Sequence, residues 1–212
     1  MKTIELQIKE LGLVPVIAID DAKHAVGLGK ALLEGGLPVA EVTFRTAAAE
    51  ETIRLMAGAF PDMLVGAGTV LSVEKAGRAR AAGAKFMVTP GFDGDVVDYC
   101  IKHGVPIYPG VATPTDINQA LKKGLETLKF FPAEELGGVK MLKAMSAPYS
   151  MIKFIPTGGI DANNLKSYLE LPQVLACGGS WMVKKTLISE GKFDQIAALV
   201  KEARQVVLQT RK

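Results

Sequence analysis

The sequence predicts an α/β fold, a single (β/α)8 TIM barrel with one extra helix at its N-terminus. Short apolar runs rich in Val, Ile, Phe and Leu alternate along the chain with alanine- and leucine-rich segments of helical period. The apolar runs recur roughly every 20 to 26 residues, which is the length of one strand and one helix. Eight such units fit a chain of 212 residues, so we expect residues 1–212 to form one domain.

The eight predicted strands follow one another at near-equal spacing. They are VPVIAI (14–19), PVAEVTF (38–44), MLVGAGT (63–69), KFMVTP (85–90), VPIYPG (105–110), TLKFFP (127–132), MIKFIPTGG (151–159) and QVLACGG (173–179). The first dozen residues are amphipathic and predict the extra helix, and FDQIAALVKEARQVVLQTRK predicts a final amphipathic helix. An open doubly wound sheet alternates in the same way, but eight near-equal units without a GxGxxG motif favour a closed barrel.

Composition and charge exclude several classes of protein. Hydrophobic residues make up 49% of the chain and charged residues 22%, which is typical of a globular protein. The net charge of +3 comes from basic residues that are spread along the chain, which argues against nucleic-acid binding. No apolar stretch reaches the ~18 residues of a membrane-spanning helix, and the N-terminus lacks a secretory signal, so we expect a soluble, cytoplasmic protein.

The two cysteines give no sign of a disulfide scaffold or a metal site. Cys100 and Cys177 lie far apart in the sequence, with no CxxC motif and no ligand histidine nearby. No cluster of carboxylates and histidines indicates a catalytic metal. We therefore expect a protein without a metal or another bound cofactor.

Charged residues occur inside two of the predicted strands. In a barrel of this type the catalytic groups lie at the carboxyl ends of the strands. Side chains alternate along a strand, so Glu41 and Arg45 of AEVTFRT share one face. Lys129 and Phe131 of TLKFFP share one face of the sixth predicted strand. Both strands are even-numbered, so Glu41 and Lys129 are predicted to approach each other inside the barrel.

The buried lysine has two interpretations. It forms a structural ion pair with Glu41, or it is a nucleophile that forms a Schiff base with a carbonyl substrate. An ordinary lysine is almost entirely protonated near neutral pH, and an apolar neighbour such as Phe131 favours the uncharged amine. In the second interpretation Glu41 would transfer protons.

Glycine pairs end the last two predicted strands, in PTGGI and CGGS. Gly158 and Gly159 belong to the first motif, and Gly179 and Ser180 belong to the second. Paired glycines let backbone N–H groups approach an anion closely, and the loops after strands seven and eight are the usual phosphate site of such a barrel. Two glycine pairs at these positions therefore indicate a phosphate-binding site.

With these residues located, the chain resembles the 2-keto-3-deoxy-6-phosphogluconate (KDPG) aldolases, also called 4-hydroxy-2-oxoglutarate (KHG) aldolases, of the Entner–Doudoroff pathway. The resemblance runs from about residue 11 to the C-terminus. It is carried by VPVIAI, EVTFRT, VGAGTV, KFFPAE, GGVK, PTGGI and GGSW, in the order of the family.

The resemblance implies a class I aldolase in which Lys129 forms an imine with the substrate ketone. It implies that Glu41 transfers protons and that Arg45 holds the pyruvyl carboxylate, aided by Thr69 of VGAGTV. The implied products are pyruvate and glyceraldehyde 3-phosphate, or pyruvate and glyoxylate from the smaller substrate. No metal is required by this chemistry, and family members are commonly homotrimers.

The same resemblance assigns the remaining site residues. Pro90 and Phe131 correspond to residues that line the pyruvyl pocket. The phosphate-binding positions are Gly158, Gly159, Gly179 and Ser180.

Three alternatives stay open at this stage. A related aldolase for 2-dehydro-3-deoxy-6-phosphogalactonate would differ only in the configuration of one substrate carbon. A phosphosugar isomerase would share the barrel and the phosphate loops but would use a carboxylate pair or a histidine, and the strand ends offer a lysine instead. A non-catalytic phosphosugar-binding protein is the third alternative, and the combination of Lys129, Glu41 and Arg45 argues against it.

Overall fold

The computed structural model describes residues 2–211. The α-helices in this range are α1 (Ile4–Leu11), α2 (Ala25–Glu34), α3 (Ala49–Ala59), α4 (Val73–Ala81), α5 (Gly94–Lys102), α6 (Pro114–Lys122), α7 (Gly138–Ser146), α8 (Leu165–Leu169), α9 (Lys185–Ser189) and α10 (Phe193–Thr210). Short 3-10 helices span Ala22–His24 and Trp181–Val183.

The strands in this range are β1 (Leu13–Ile17), β2 (Val39–Thr43), β3 (Leu64–Gly68), β4 (Met87–Val88), β5 (Ile107–Tyr108), β6 (Gly110–Val111), β7 (Thr127–Phe130), β8 (Lys153–Pro156) and β9 (Cys177–Gly179). Each predicted strand overlaps an observed one. The fifth predicted strand corresponds to the two short strands β5 and β6, which are separated by Pro109. A proline has no N–H to donate to a strand ladder, which accounts for a break at this point.

The strands form two parallel sheets. The first has six strands in the order β5-β4-β3-β2-β1-β9, and the second has three in the order β6-β7-β8. Isolated parallel bridges join Thr157 to Gly178 and Phe154 to Val174, next to β8 and β9. The fold is therefore a mixed α/β fold with a curled parallel sheet, and the carboxyl ends of its strands lie at one edge.

The first helix lies at the opposite, amino-terminal edge of the strands. Thr3 caps α1 by accepting a hydrogen bond from Leu6 N–H, and Gly12 ends the helix with a φ of +66°. Ile8 is fully buried, and Thr127, the first residue of β7, donates a hydrogen bond of 2.6 Å to Glu5. Helix α1 therefore covers the end of the strands that is remote from the carboxyl edge.

Apolar burial on both faces of the sheet accounts for the continuous hydrophobic runs in the sequence. All five residues in each of β1, β2 and β3 are buried. Phe130 and Phe154 pack edge to face on neighbouring strands, with ring centroids 6.5 Å apart. Cys100 and Cys177 are free thiols buried in this core. None of the helices in residues 2–211 combines the length and the apolar character that crossing a bilayer requires.

Candidate active site

A cleft of about 280 Å³ opens at the carboxyl edge of the strands. The ten site residues predicted from the sequence all line it: Glu41, Arg45, Thr69, Pro90, Lys129, Phe131, Gly158, Gly159, Gly179 and Ser180. They come from strands and loops that are spread over the whole chain. The fold therefore brings the complete predicted set together in one cavity.

Lys129 and Glu41 meet at the buried base of this cleft. Lys129 Nζ donates to Glu41 Oε1 over 3.3 Å, and the two side chains are only 7% and 4% exposed. The ring of Phe131 lies beside the same amine, with its centroid 5.1 Å from Nζ. The approach of Glu41 and Lys129 inside the sheet, which strand alternation predicts, is confirmed. A buried charge pair of this kind is costly to desolvate, and its location in a cleft indicates a functional role.

Glycines in the neighbouring strand make room for Glu41. Gly66 of β3 lies opposite Glu41 in the parallel register. A Cβ atom placed on Gly68 would lie 2.7 Å from Glu41 Cγ, well inside van der Waals contact. The glycine-rich sequence VGAG therefore allows a long carboxylate side chain to lie inside the sheet next to β3.

A short hydrogen-bond chain orients Arg45 at the rim. Arg45 Nε donates to Thr43 Oγ1 over 3.0 Å, and Thr43 Oγ1 donates to the carbonyl of Ile17 over 2.6 Å. Thr43 is buried, whereas Arg45 is exposed. This leaves the terminal guanidinium nitrogens facing a cleft in which they can bind a carboxylate through two parallel hydrogen bonds.

Thr69 follows β3 in an unusual backbone conformation. Its φ is +56°, and among residues 2–211 it is the one non-glycine residue with a positive φ. A left-handed conformation costs an ordinary residue roughly 1–2 kcal/mol, and such strain tends to occur where function requires a defined side-chain position. Thr69 lines the cleft together with Lys129.

The loop that carries the first glycine pair is bound to the segment after β7. Gly158 and Gly159 have φ values of +101° and +72°, which favour glycine. Ala133 N–H donates to the carbonyl of Thr157 over 2.8 Å, and Glu134 N–H donates to that of Gly158 over 3.2 Å. The segment that follows the strand of Lys129 and the predicted phosphate loop are therefore hydrogen-bonded to each other.

The side chains of Glu134 and Tyr168 pack next to the same loop. The hydroxyl of the buried Tyr168 donates to Glu134 Oε1. Burial of the hydroxyl, together with this carboxylate, raises the pKa of Tyr168 well above its ordinary value. Gly159 packs so closely against Glu134 that an added Cβ would lie 2.6 Å from Glu134 Cγ. A larger residue at position 159 would therefore displace the loop.

Five further residues line the cleft without having been assigned a role from the sequence: Val16, Thr43, Thr157, Ile160 and Gly178. Thr157 and Gly178 stand within PTGGI and next to Gly179, and each lies at the carboxyl end of a strand, which is the signal that could have found them. Val16 and Ile160 are ordinary apolar residues, and only the folded chain shows that they face the cavity.

The chemistry that this cleft offers is that of an amine, a carboxylate and a guanidinium. Within residues 2–211 no three His, Cys, Asp or Glu side chains are grouped so that they could hold a metal ion. The amine is a potential nucleophile, the carboxylate can transfer protons, and the guanidinium and backbone N–H groups can bind anions.

Comparison with known proteins identifies the family to which this chain is similar. The model of the KDPG and KHG aldolase family matches residues 4–199. The 2-dehydro-3-deoxy-phosphogluconate aldolase of Treponema pallidum is 48% identical over 98% of this chain and 99% of its own length. The KHG/KDPG aldolase of Escherichia coli K12 is 42% identical over 90% of this chain and 89% of its own length.

A solved structure agrees with these relatives. The KDPG aldolase of Legionella pneumophila, with pyruvate captured as a covalent carbinolamine, superposes with a TM-score of 0.91 at 38% identity. The match covers 96% of this chain and 99% of that one. Because the family model spans residues 4–199 and the relatives match over most of their length, this chain belongs to the KDPG and KHG aldolase family.

Proposed function

We propose that this protein is a class I aldolase that cleaves 2-dehydro-3-deoxy-6-phosphogluconate to pyruvate and glyceraldehyde 3-phosphate. We propose that it also cleaves 4-hydroxy-2-oxoglutarate to pyruvate and glyoxylate. The observation that carries the proposal is the buried contact of 3.3 Å between Lys129 Nζ and Glu41 Oε1 at the base of the cleft. Membership of the family suggests that this pair catalyses the aldol cleavage of a 2-keto acid through an imine.

In the proposed reaction the uncharged amine of Lys129 attacks the C2 carbonyl carbon of the substrate. The resulting carbinolamine loses water and becomes a protonated imine, which withdraws electrons from C3. Loss of the C4 hydroxyl proton then breaks the C3–C4 bond, and the bonding electrons form an enamine of pyruvate. Protonation at C3 and hydrolysis of the imine release pyruvate and restore the amine.

Glu41 is the proposed acid and base in this sequence. Its carboxylate takes the C4 hydroxyl proton, through a water molecule, and returns a proton to C3 of the enamine. Its contact with Lys129 supports this assignment, because the proton is needed next to the atom that carries the imine. Arg45, held by Thr43, is proposed to bind the substrate carboxylate with the help of Thr69.

The remaining assignments follow the shape of the cleft. Pro90 and Phe131 are proposed to line the pyruvyl pocket beside Lys129. The phosphate group of the six-carbon substrate is assigned to the backbone N–H groups of Gly158, Gly159, Gly179 and Ser180. The positive φ values of Gly158 and Gly159 support this assignment, because they let a loop turn its N–H groups toward an anion.

Borohydride reduction in the presence of pyruvate tests the imine. We expect a stable pyruvyl adduct on the peptide that contains Lys129, detected by mass spectrometry of a protease digest. The Lys129→Ala variant should give no adduct, whereas Lys153→Ala, which changes a lysine at the start of the next strand, should be labelled like the wild type. An unlabelled wild-type protein, or an adduct on another lysine, would overturn the proposed mechanism.

Several wider features belong to the same proposal. We infer one domain in which the two sheets close into a (β/α)8 barrel with α1 as an extra N-terminal helix. The bridge between Thr157 and Gly178 and the short connection through Pro109 support closure, because they link the two sheets on both sides. We further propose that the protein is a cytoplasmic homotrimer, which predicts a trimeric mass in solution. We also propose that the reaction needs no metal, which predicts full activity in the presence of EDTA.

A further inference from the structure

The active-site cleft continues into a second, outer cavity. This outer cavity has a volume of about 610 Å³. It shares five lining residues with the central cleft: Val16, Arg45, Gly159, Ile160 and Ser180. Two of these, Gly159 and Ser180, are residues to which the proposed function assigns the phosphate. The outer cavity therefore starts where the phosphate end of a substrate would lie.

The far wall of the outer cavity comes from the segment after β9. Trp181, Lys184 and Lys185 line this wall and are not part of the central cleft. Trp181 lies against the second glycine pair, since a Cβ on Gly179 would be 3.0 Å from its ring atom Cη2. The indole therefore packs directly against the glycine pair that precedes the two lysines.

The two lysines differ in their partners. Lys185 forms an ion pair of 2.7 Å with Asp20, which compensates its charge. Lys184 is exposed and, within residues 2–211, forms no ion pair. The outer cavity contains one carboxylate of its own, Asp161, whose oxygens accept hydrogen bonds from Asn163 and Asn164 in its own loop. Lys184 therefore supplies an uncompensated positive charge at the entrance to the phosphate loops.

We propose that Lys184 is a specificity-determining residue that favours phosphorylated over unphosphorylated substrates by attracting the phosphate group through the outer cavity. The proposal rests on the function proposed above for the central cleft. A phosphate carries close to two negative charges at neutral pH, whereas the unphosphorylated keto acid presents a smaller charge to the rim. The charge of Lys184 acts on binding, and it lies outside the reacting atoms.

The same geometry assigns an opposing role to Asp20. Its carboxylate neutralises Lys185, so its removal frees a second positive charge at the same rim. We therefore expect phosphate affinity to fall when the charge of Lys184 is removed and to rise when the charge of Asp20 is removed.

Binding of inorganic phosphate, followed through tryptophan fluorescence, tests the proposal without relying on catalysis. Trp181 is the single tryptophan of the chain and lines the outer cavity, so its emission reports on this site alone. We expect Lys184→Gln to raise the phosphate Kd by roughly two- to fivefold at low salt, a typical size for one exposed charge. Asp20→Asn should lower it, and both effects should shrink at high ionic strength.

Lys30→Gln is the matched control, because it removes the same charge from an exposed lysine of α2 that lines neither cavity. In retro-aldol assays Lys184→Gln should raise KM for the phosphorylated substrate and leave kcat on the unphosphorylated one unchanged. A Kd in Lys184→Gln equal to that of Lys30→Gln, or a wild-type protein without saturable phosphate binding, would overturn the proposal. Failure of the proposed function would appear separately, as the loss of the borohydride adduct on wild-type Lys129.

Discussion

Glu41 and Lys129 form a buried ion pair whose cost the fold has to compensate. Their side chains are 4% and 7% exposed, and the contact of 3.3 Å provides the attraction that offsets desolvation. A pair of well-packed apolar residues would serve stability at least as well at such a position. The charges are therefore better explained by chemistry at the cleft than by the stability of the sheet.

Replacement of Glu41 by glutamine separates proton transfer from imine formation. Glutamine keeps the volume of the side chain but cannot transfer a proton, so kcat should fall on the order of 10²- to 10⁴-fold. Pyruvate with borohydride should still label Lys129 in this variant. Steady-state kinetics and mass spectrometry measure the two effects, with Glu34→Gln on the exposed face of α2 as the control. A variant with the kcat of the wild type would show that Glu41 is not the acid and base.

At the scale of elements, β3 is shaped by its glycines. Gly66 and Gly68 alternate with Val65 and Ala67, so the face that the two glycines share carries no side chain at either position. An added Cβ at Gly66 would lie 2.5 Å from the Phe86 ring, and one at Gly68 would lie 2.7 Å from Glu41 Cγ. The space beside the two glycines is therefore filled by the Phe86 ring at one level and by the carboxylate side chain of Glu41 at the next.

Gly68→Ala should reduce activity without changing any residue that touches the substrate through a functional group. The new methyl group displaces the carboxylate of Glu41, and a misplacement of this kind can cost as much as ~10²-fold in rate. Overpacking of the core should also lower stability by about 1–3 kcal/mol. Thermal unfolding and kcat on the phosphorylated substrate measure the two effects.

Gly58→Ala provides the control for this glycine substitution. Gly58 lies within α3, and an added Cβ would meet nothing within 4 Å. Alanine is the better helix former, so this variant should be more stable by roughly 0.5–1 kcal/mol with an unchanged kcat. Equal activity of the two alanine variants would contradict the steric role of Gly68.

The core of the whole molecule keeps both thiols protonated. Burial raises the pKa of Cys100 from an ordinary value of 9.0 to about 11. Burial likewise raises the pKa of Cys177 from 9.0 to about 12, against an opposing contribution from the Arg211 guanidinium. Because the thiolate is the reactive form, neither cysteine should react while the chain is folded.

Ellman's reagent at pH 8 should therefore detect no thiol in the folded protein and two per chain in denaturant. Rapid labelling of the folded protein would show that the core opens more readily than this packing implies.

The same pKa shifts make the free energy of unfolding depend on pH. Above pH 9.0 the thiols ionise in the unfolded chain but stay protonated in the folded one. Their contribution to the free energy of unfolding is therefore complete below pH 9.0 and is lost as the pH rises toward about 12. Denaturant unfolding at a series of pH values should show this fall in the free energy of unfolding.

The sequence by itself determined the alternation of strands and helices and the residue types at the site. Apolar runs at regular spacing predict the strands because a parallel sheet is buried on both faces, as β1 to β3 are. Motifs such as EVTFRT and KFFPAE carry the resemblance to the family. Glu41 and Lys129 could be found because charged residues are unusual inside apolar strands, and the glycine pairs because they end predicted strands. Thr69 and Pro90 were found only through the resemblance to the family.

Only the tertiary structure decided what these residues contact. The distance between Glu41 and Lys129, which are 88 positions apart, depends on the curl of the sheet, and local periodicity does not encode it. The left-handed backbone of Thr69 is visible only in the folded chain, because residue type alone predicts a negative φ for a threonine. The outer cavity, with Lys184 free and Lys185 paired to Asp20, likewise exists only where separate loops meet. Such features depend on contacts between distant segments, so they become visible only when the chain is folded.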